Sequence, residues 1–359
     1  MSKPYYKYLL RHFLYWTPVF TLFTLFRQAG HETIKAVDVP EMSIAQYAFF
    51  QLVIGITAGL LFGSINYSLD KYIARRVPFG KTVLIGSLSY LTGVLLMVSL
   101  GFVAYLTLQG VPLTPQLFAT YFFSVEMLLI MLYNFIAGAI FDFVKEVDKK
   151  FGPGNLWKMV MGEFYQPKED ERIFMFLDLK SSTTIAEKLG HEAYSNLIQR
   201  CFHDVSGLVV QYQASVYQYV GDEIVLSWRV EEGLNNLNCL RFFFGYQQML
   251  FRNKAYYEAR FGLLPQFKAG LEMGSVMVAE VGDIKREIAF HGDVLNTAAR
   301  IQALCNQYGK MILVSERIEQ AIKQNIKGRA ELMGNLQLRG KQKYVKVYAI
   351  EAPQLVVAS

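Results

Sequence analysis

Cysteine is scarce. The 359 residues hold three, Cys201, Cys239 and Cys305, and none belongs to a Cys-x-x-Cys pair. Neither a disulfide framework nor a thiolate metal site is therefore expected, and a reducing compartment suits the part of the chain that carries them. An excess of one charge is also missing from the C-terminal part. Residues 142–359 carry 27 Lys or Arg against 25 Asp or Glu, which leaves no basic stripe to grip a nucleic acid and argues against such a partner. Charge of either sign is thin over residues 1–141, with nine basic and five acidic side chains. No small-residue cleavage site follows the first apolar run, which Arg27 closes, so that run does not read as a secretory signal peptide.

Long apolar stretches fill the space that charge leaves. They cover roughly 9–26, 45–67, 82–108 and 116–141, and the last three are each long enough to cross a hydrocarbon core of about 30 Å as a helix. The first is interrupted by Arg11, His12 and Pro18. Basic flanks stay on the cytoplasmic side of a membrane. Lys3, Lys7 and Arg11 precede the first stretch, Lys71, Arg75, Arg76 and Lys81 lie between the second and third, and Lys145, Lys149 and Lys150 follow the fourth. Loop 27–44 is poorer in base and loop 109–115 carries no charge. Four spans thus place both ends in the cytoplasm, as expected of a multi-pass protein of an inner or plasma membrane with lipid as its surroundings. Gly55, Gly59 and Gly63 form a smooth stripe on the second span, suited to close helix packing within one chain or between two. Glu126, inside the fourth stretch, reads either as a ligand-sensing group or as a partner of a tyrosine or Asn134 on a neighbouring helix.

The organisation expected is a membrane module over 1–141, a helical linker over 142–171, a soluble domain over 172–350 and a short tail over 351–359. The linker runs through charged helix to the breaker Gly152-Pro153-Gly154 and a short piece "LWKMVMGEF". The soluble domain opens with "RIFMFLDLKSSTTIAEKLG". Ile173–Leu177 is an unbroken apolar run that suits a buried strand, and it ends in Asp178. The polar residues after it start a helix, with Thr184 and Glu187 spaced as a capping box, and the free N–H groups at Ser182 and Thr183 suit a phosphate. An amphipathic helix follows from Tyr194. "VYQYVGDEIVLSW" (216–228) is a hairpin turning at Gly221-Asp222. A helix is expected near 233–254, strands near 266–273 and 275–281, a helix from 293, the strand "MILVS", a short helix to about 324, and closing strands near 331–340 and 344–350. Alternating strands and helices indicate an α/β domain layered on one sheet.

Asp178 and Asp222 each read alone as solvent-facing turn residues. Paired, they suit one or two Mg²⁺ completed by a nucleoside triphosphate. Asn296 and Arg300, four apart on one helix, share a face. They suit the charge that builds on a phosphoryl group in transfer, or else a solvated surface. Lys341 serves outer phosphates or is a plain loop lysine.

"FLDLKSSTT", "YQYVGDEIVLSW", "HGDVLNTAARI" and "LRGKQKYVKVYAI", in that order across 172–350, resemble the catalytic domain of the class III nucleotidyl cyclases, which make cyclic AMP or cyclic GMP. The fold class this implies is an N-terminal all-α transmembrane bundle of four helices joined to a C-terminal α/β domain of ferredoxin-like, palm type. The resemblance further implies that Asp178, Asp222 and the backbone carbonyl of Leu179 hold two Mg²⁺ or Mn²⁺ ions, and that Asn296 and Arg300 stabilise the transition state. Lys341, with Ser182 and Thr183, would bind phosphate, in a head-to-tail homodimer whose metal acids face the partner's Asn and Arg. The base-reading lysine and aspartate of many members align with Gln218 and Ala289. A glutamine amide both donates and accepts, and ATP is the expected substrate, GTP the alternative. A diguanylate cyclase, suggested by "VGDEI", and a membrane receptor with a silent cyclase-like domain are the competing readings.

Overall fold

The computed structural model describes residues 5–31, 44–72, 77–108, 110, 112–152, 154–326, 330–337 and 344–351. The chain forms two compact units that part between Pro153 and Gly154.

The first unit is helical: α1 (Tyr5–His31), α2 (Ile44–Tyr72), α3 (Phe79–Leu108), α4 (Pro115–Phe122) and α5 (Val125–Phe151). Three segments are long and apolar enough to cross a membrane, Gln51–Tyr72, Phe79–Val103 and Val125–Phe151. The four expected spans are thus three by this measure. Helix α1 has 27 residues, about 40 Å of helix, but Lys7, Arg11 and His12 keep it less apolar. The glycine stripe is spent inside the chain. A Cβ on Gly63 would lie 2.9 Å from Leu9 Cα, and one on Gly59 3.2 Å from the Leu9 carbonyl oxygen, so the stripe seats α1 directly on α2.

The stretch expected to span 116–141 is two helices. It breaks at Phe123, where Ser124 Oγ accepts from Met127 N at 3.1 Å and caps a new start. Glu126 accordingly sits in the first turn of α5, exposed, rather than in the middle of a span, where a carboxylate complements the helix N-terminus. The spanning helix instead runs on to Phe151, and Lys145, expected as a flanking charge, is buried. Lys145 Nζ meets Asp142 Oδ1 at 2.9 Å and Asn66 Oδ1 at 3.0 Å. Asn66 Nδ2 and Tyr90 OH donate to the same Asp142 oxygen at 3.1 and 3.2 Å. His12 Nε2 lies 3.3 Å from Tyr90 OH, and Tyr8 OH donates to Asp70 Oδ2 at 3.1 Å. One polar cluster therefore ties α1, α2, α3 and α5 together.

The second unit begins with α6 (Asn155–Val160) and continues as β1 (Lys168–Leu179), α7 (Ser182–Gln211), β2 (Ser215–Val220), β3 (Glu223–Arg229), α8 (Val230–Leu234), α9 (Asn238–Arg252), α10 (Lys254–Phe261) and β4 (Phe267–Val281). Then come β5 (Glu287–His291), α11 (Asp293–Tyr308), β6 (Ile312–Ser315), α12 (Glu316–Ile326), β7 (Ala330–Gln337) and β8 (Tyr344–Ile350). The sheet has the order β2-β3-β1-β4-β6-β8-β7, with β5 paired to β4. Only β4 and β6 run parallel among the described pairings. Its first part, β1-α7-β2-β3-α9-β4 in the order β2-β3-β1-β4, is the ferredoxin-like split βαβ arrangement expected.

Strand side chains alternate between two helical layers. Ile173, Met175 and Leu177 of β1 pack with Leu197, Cys201 and Val205 of α7 and with Phe242 and Tyr246 of α9. Phe174 on the opposite face packs with Val294 and Ala298 of α11. Full burial of each such side chain contributes roughly 1.5–3 kcal/mol. All three cysteines are buried, and burial pushes their thiols up to about 12, so they act as apolar filling.

Several local expectations differ from the structure: residues 168–171, expected in the helical linker, already belong to β1, and the helix expected near 233–254 is α8 and α9 parted by residues 235–237. Helix α7 starts at Ser182 after Ser181, which is left-handed at φ 58° and makes no side-chain cap, so Thr184 and Glu187 lie inside the first turns and form no capping box. The two strands expected at 266–273 and 275–281 are one, because Gly274 continues the ladder opposite Arg172 instead of turning the chain.

Candidate active site

The site grows from strand register. Asp178, at the end of β1, lies between Glu223 of β3 and Lys268 of β4 as cross-strand partners. Val220 pairs with Glu223, so Gly221 and Asp222 make a two-residue turn, with Gly221 at φ +60° as such a turn requires. The hairpin thereby delivers Asp222 beside Asp178. The two acids, 44 positions apart, interact electrostatically: burial chiefly raises the Asp178 carboxyl, Lys268 pulls it back, and Asp222 pushes it up again. Glu223 is pushed up to about 7 by burial first, then by Asp178 and Asp222.

One oxygen of Asp178 is occupied within the chain. Lys268 Nζ lies 3.1 Å and Gln302 Nε2 2.9 Å from Oδ2. Across the gap, Asp222 Oδ2 is buried with no hydrogen-bond partner. A buried carboxylate oxygen without a donor is costly, and a hard cation would satisfy it. The donor set fits Mg²⁺ or Mn²⁺, which keep waters and substrate phosphates beside one or two carboxylates. Among the described residues no group of three or more His, Cys, Asp or Glu is placed to hold a metal ion by itself.

The start of α7 joins this corner. The first helical hydrogen bond is Ile185 N to Ser181 O at 3.0 Å, so the N–H groups of Ser182, Thr183 and Thr184 precede the intrahelical ladder. Tyr194, on the same helix, lies within electrostatic reach of both acids. Burial raises its hydroxyl, Asp222 and Asp178 add to the rise, and Ser182 opposes it by a hydrogen bond.

Gln218 is exposed on β2, next to a bulge between Val216 and Gln218. The ring of Tyr217 in that bulge meets Phe290 edge-on at 4.9 Å, which brings β2 against β5, where Ala289 pairs with Ala279. Lys341 lies outside the described residues. Asn296 is exposed and Arg300 half-buried on α11, on the side away from Val294, Ala298 and Ile301, which pack on the sheet. Among the described residues no hydrogen bond or ion pair links Asn296 or Arg300 to Asp178 or Asp222. The acids come together within the chain, and the amide and guanidinium face outward.

Sequence reasoning missed Lys268, Gln302 and Tyr194. Lys268 had a signal, a lysine set among the apolar residues Phe267, Ala269 and Leu271 at the start of the strand "FKAGLEM". Gln302 and Tyr194 had none, because only the tertiary fold brings them to the acids.

The model of the family described as the adenylate and guanylate cyclase catalytic domain matches residues 164–352. Adenylate cyclase 2 of Rhizobium meliloti (strain 1021) is 26% identical over 226 residues, covering 63% of this chain and 62% of that protein. Adenylate cyclase 1 of the same organism is 25% identical over 182 residues, covering 49% of this chain and 27% of that protein. The chain thus spans less than two thirds of either relative. A solved structure of a bacterial light-regulated adenylyl cyclase superposes with a TM-score of 0.54 at 20% identity, covering 64% of this chain and 67% of that one, a likeness of fold. With more than half of its residues matched by the family, the chain belongs to the adenylate and guanylate cyclase catalytic-domain family.

Proposed function

We propose that this chain is a membrane-bound adenylate cyclase that converts ATP to 3′,5′-cyclic AMP and pyrophosphate, working as a homodimer with active sites at the protomer interface and with a rate set through its membrane module. The observation that carries this reading is the convergence of Asp178 and Asp222 with the buried, unpartnered Asp222 Oδ2. The names of the Rhizobium relatives favour ATP over GTP.

In the reaction a bond forms from the ribose 3′-oxygen to the α-phosphorus. The bond from that phosphorus to the bridging oxygen breaks, and pyrophosphate leaves with the electron pair while the 3′-hydroxyl proton passes to solvent. Two Mg²⁺ or Mn²⁺ ions at Asp178, Asp222 and the Leu179 carbonyl would supply Lewis acidity when bound. Lys268 keeps the acidic corner from self-repulsion before substrate arrives. The N–H groups at Ser182 and Thr183, with Lys341, bind phosphate oxygens, and the Gln218 amide reads the adenine edge, donating and accepting at once. Asn296 and Arg300 of one protomer serve the site of the other. Their outward position on α11 supports this, since a guanidinium aimed at developing phosphoryl charge lowers the barrier only where it can reach it.

The basic residues near Lys71 and Lys81 and after Asp142 support a multi-pass topology in an inner or plasma membrane. In it α1 crosses with the three apolar helices, and the N-terminus and the catalytic unit are cytoplasmic. The test is turnover by the purified full chain with Mg²⁺ or Mn²⁺ and either ATP or GTP. Cyclic AMP from ATP is expected, together with its loss in Asp222→Ala. Cyclic GMP alone would replace the substrate assignment, and neither product would overturn the enzyme reading.

A further inference from the structure

Asp178 Oδ2 is gripped from two directions, by Lys268 on the neighbouring strand and by Gln302 on α11. The glutamine grip is built rather than incidental. Gln302 is 7% exposed, and it reaches the carboxylate because α11 lies directly against β4 at Gly270, where a Cβ would come within 2.6 Å of Ala298 O and Gln302 Cα. Any larger residue at 270 would lift the helix off the strand and take the amide with it. With Oδ2 engaged by Nε2–H and by an ammonium, the other oxygen of Asp178 is the one left for the metal corner shared with Asp222.

We infer that Gln302 is a positioning residue, which fixes the Asp178 carboxylate for metal binding and so makes α11 serve two active sites, its own through Gln302 and its partner's through Asn296 and Arg300. The second half rests on the dimeric cyclase reading. The first does not, because the Gln302–Asp178 bond lies within one chain. An amide suits this position because it donates to the carboxylate without competing for the cation, as a second acid would. Nor does it add the repulsion that a second ammonium would set against an incoming metal. Outer partners that orient metal ligands typically affect metal affinity by 10–100-fold.

Gln302→Met keeps the volume and removes the donor. Gln302→Asn keeps the donor one methylene short. Binding of Mn²⁺ to the purified full chain, followed by loss of the free-ion electron paramagnetic resonance signal, should weaken about ten-fold in Gln302→Met and by less in Gln302→Asn, because Lys268 still holds Oδ2. Affinities within two-fold of the parent in both variants would overturn the assignment. Absence of Mn²⁺ binding by the parent chain, both alone and with 3′-deoxy-ATP supplying the phosphates, would instead sink the metal reading of Asp178 and Asp222.

Mixed dimers separate positioning from a general disturbance of α11. When Asp222→Ala and Arg300→Ala chains are combined, the one complete site takes Asp178 and Asp222 from the Arg300→Ala chain and its guanidinium from the other. Gln302→Met should reduce turnover more when placed on the chain supplying Asp178 than on the chain supplying Arg300, with the difference appearing as a raised half-saturating Mn²⁺. Equal loss on both chains, or the opposite order, would refute positioning through Asp178. Failure of the parent pair to complement would strike the interface reading and leave the Mn²⁺ titration to decide on Gln302.

Discussion

At the scale of single residues, the site stores unlike charge in little space. Asp178, Asp222 and Glu223 crowd the end of β1, and Lys268, 8% exposed, is the cation that pairs with Asp178 among them. Removing one member of a buried pair strands the other, at about 3–5 kcal/mol where burial is complete. The Asp178 side chain keeps 21% of its exposure, so Lys268→Met is expected to cost less, about 2 kcal/mol, read by urea unfolding of the metal-free chain. An unchanged midpoint would show that water already neutralises the corner. Glu272 offers a separate pH test away from the acids. It is 4% exposed and accepts from Ser315 Oγ at 2.7 Å and Met273 N at 2.8 Å. Burial nonetheless raises its carboxyl above the usual glutamate range. Folding therefore binds this proton more tightly than the unfolded chain does, so its contribution to stability is complete below the unfolded pKa and is lost as pH rises through the folded one. Glu272→Gln retains an acceptor for both donors. Its stability relative to the parent should climb as pH is raised from about 4.5, and a pH-independent difference between the two chains would contradict the raised carboxyl.

At the scale of elements, close approach is decided by glycine. The stripe on α2 admits the backbone of α1, so Gly59→Ile should overpack that seam at a cost of about 1–3 kcal/mol. Thermal unfolding of the detergent-solubilised chain would report it, and an unaltered transition would mean that α1 sits elsewhere. The elements that the sequence makes plain are those with local causes. The run Ile173–Leu177 is apolar on every side because both sheet faces are covered, and the Gly221-Asp222 turn is set by its own dipeptide. The break at Phe123 escaped notice because its cap, Ser124, sits among residues as apolar as a span. The continuity of β4 was hidden by Gly274-Ser275, a pair that reads as a turn until β1 is seen to run alongside it. The same division holds for the site. Asp178 and Asp222 end visible strands, whereas the grip of Lys268 and Gln302 on Asp178 depends on register and on a helix lying over Gly270.

At the scale of the whole molecule, the membrane unit holds more polar chemistry than an anchor needs. Asp142 and Lys145 are 0% and 4% exposed and draw in Asn66 and Tyr90, each 0% exposed. Helix α5, which carries the pair, is also the helix that precedes the second unit in the chain. A buried ion pair is weak as a stabiliser against apolar side chains of the same volume, and ionisable groups within membrane helices point to function by default. Lys145→Met alone should destabilise the solubilised chain by roughly 3–5 kcal/mol, because Asp142 is left unpaired. Asp142→Leu combined with Lys145→Met should recover much of that loss while releasing α5 from its polar register against α2 and α3. Turnover per folded molecule in membranes is then the measurement that separates a transducer from an anchor. If the cluster sets the rate, the double variant should differ from the parent several-fold in cyclic AMP formation, with unchanged Mn²⁺ affinity because Asp178, Asp222 and Gln302 are untouched. Parent-like turnover in a stable double variant would leave the membrane unit as an attachment and nothing more.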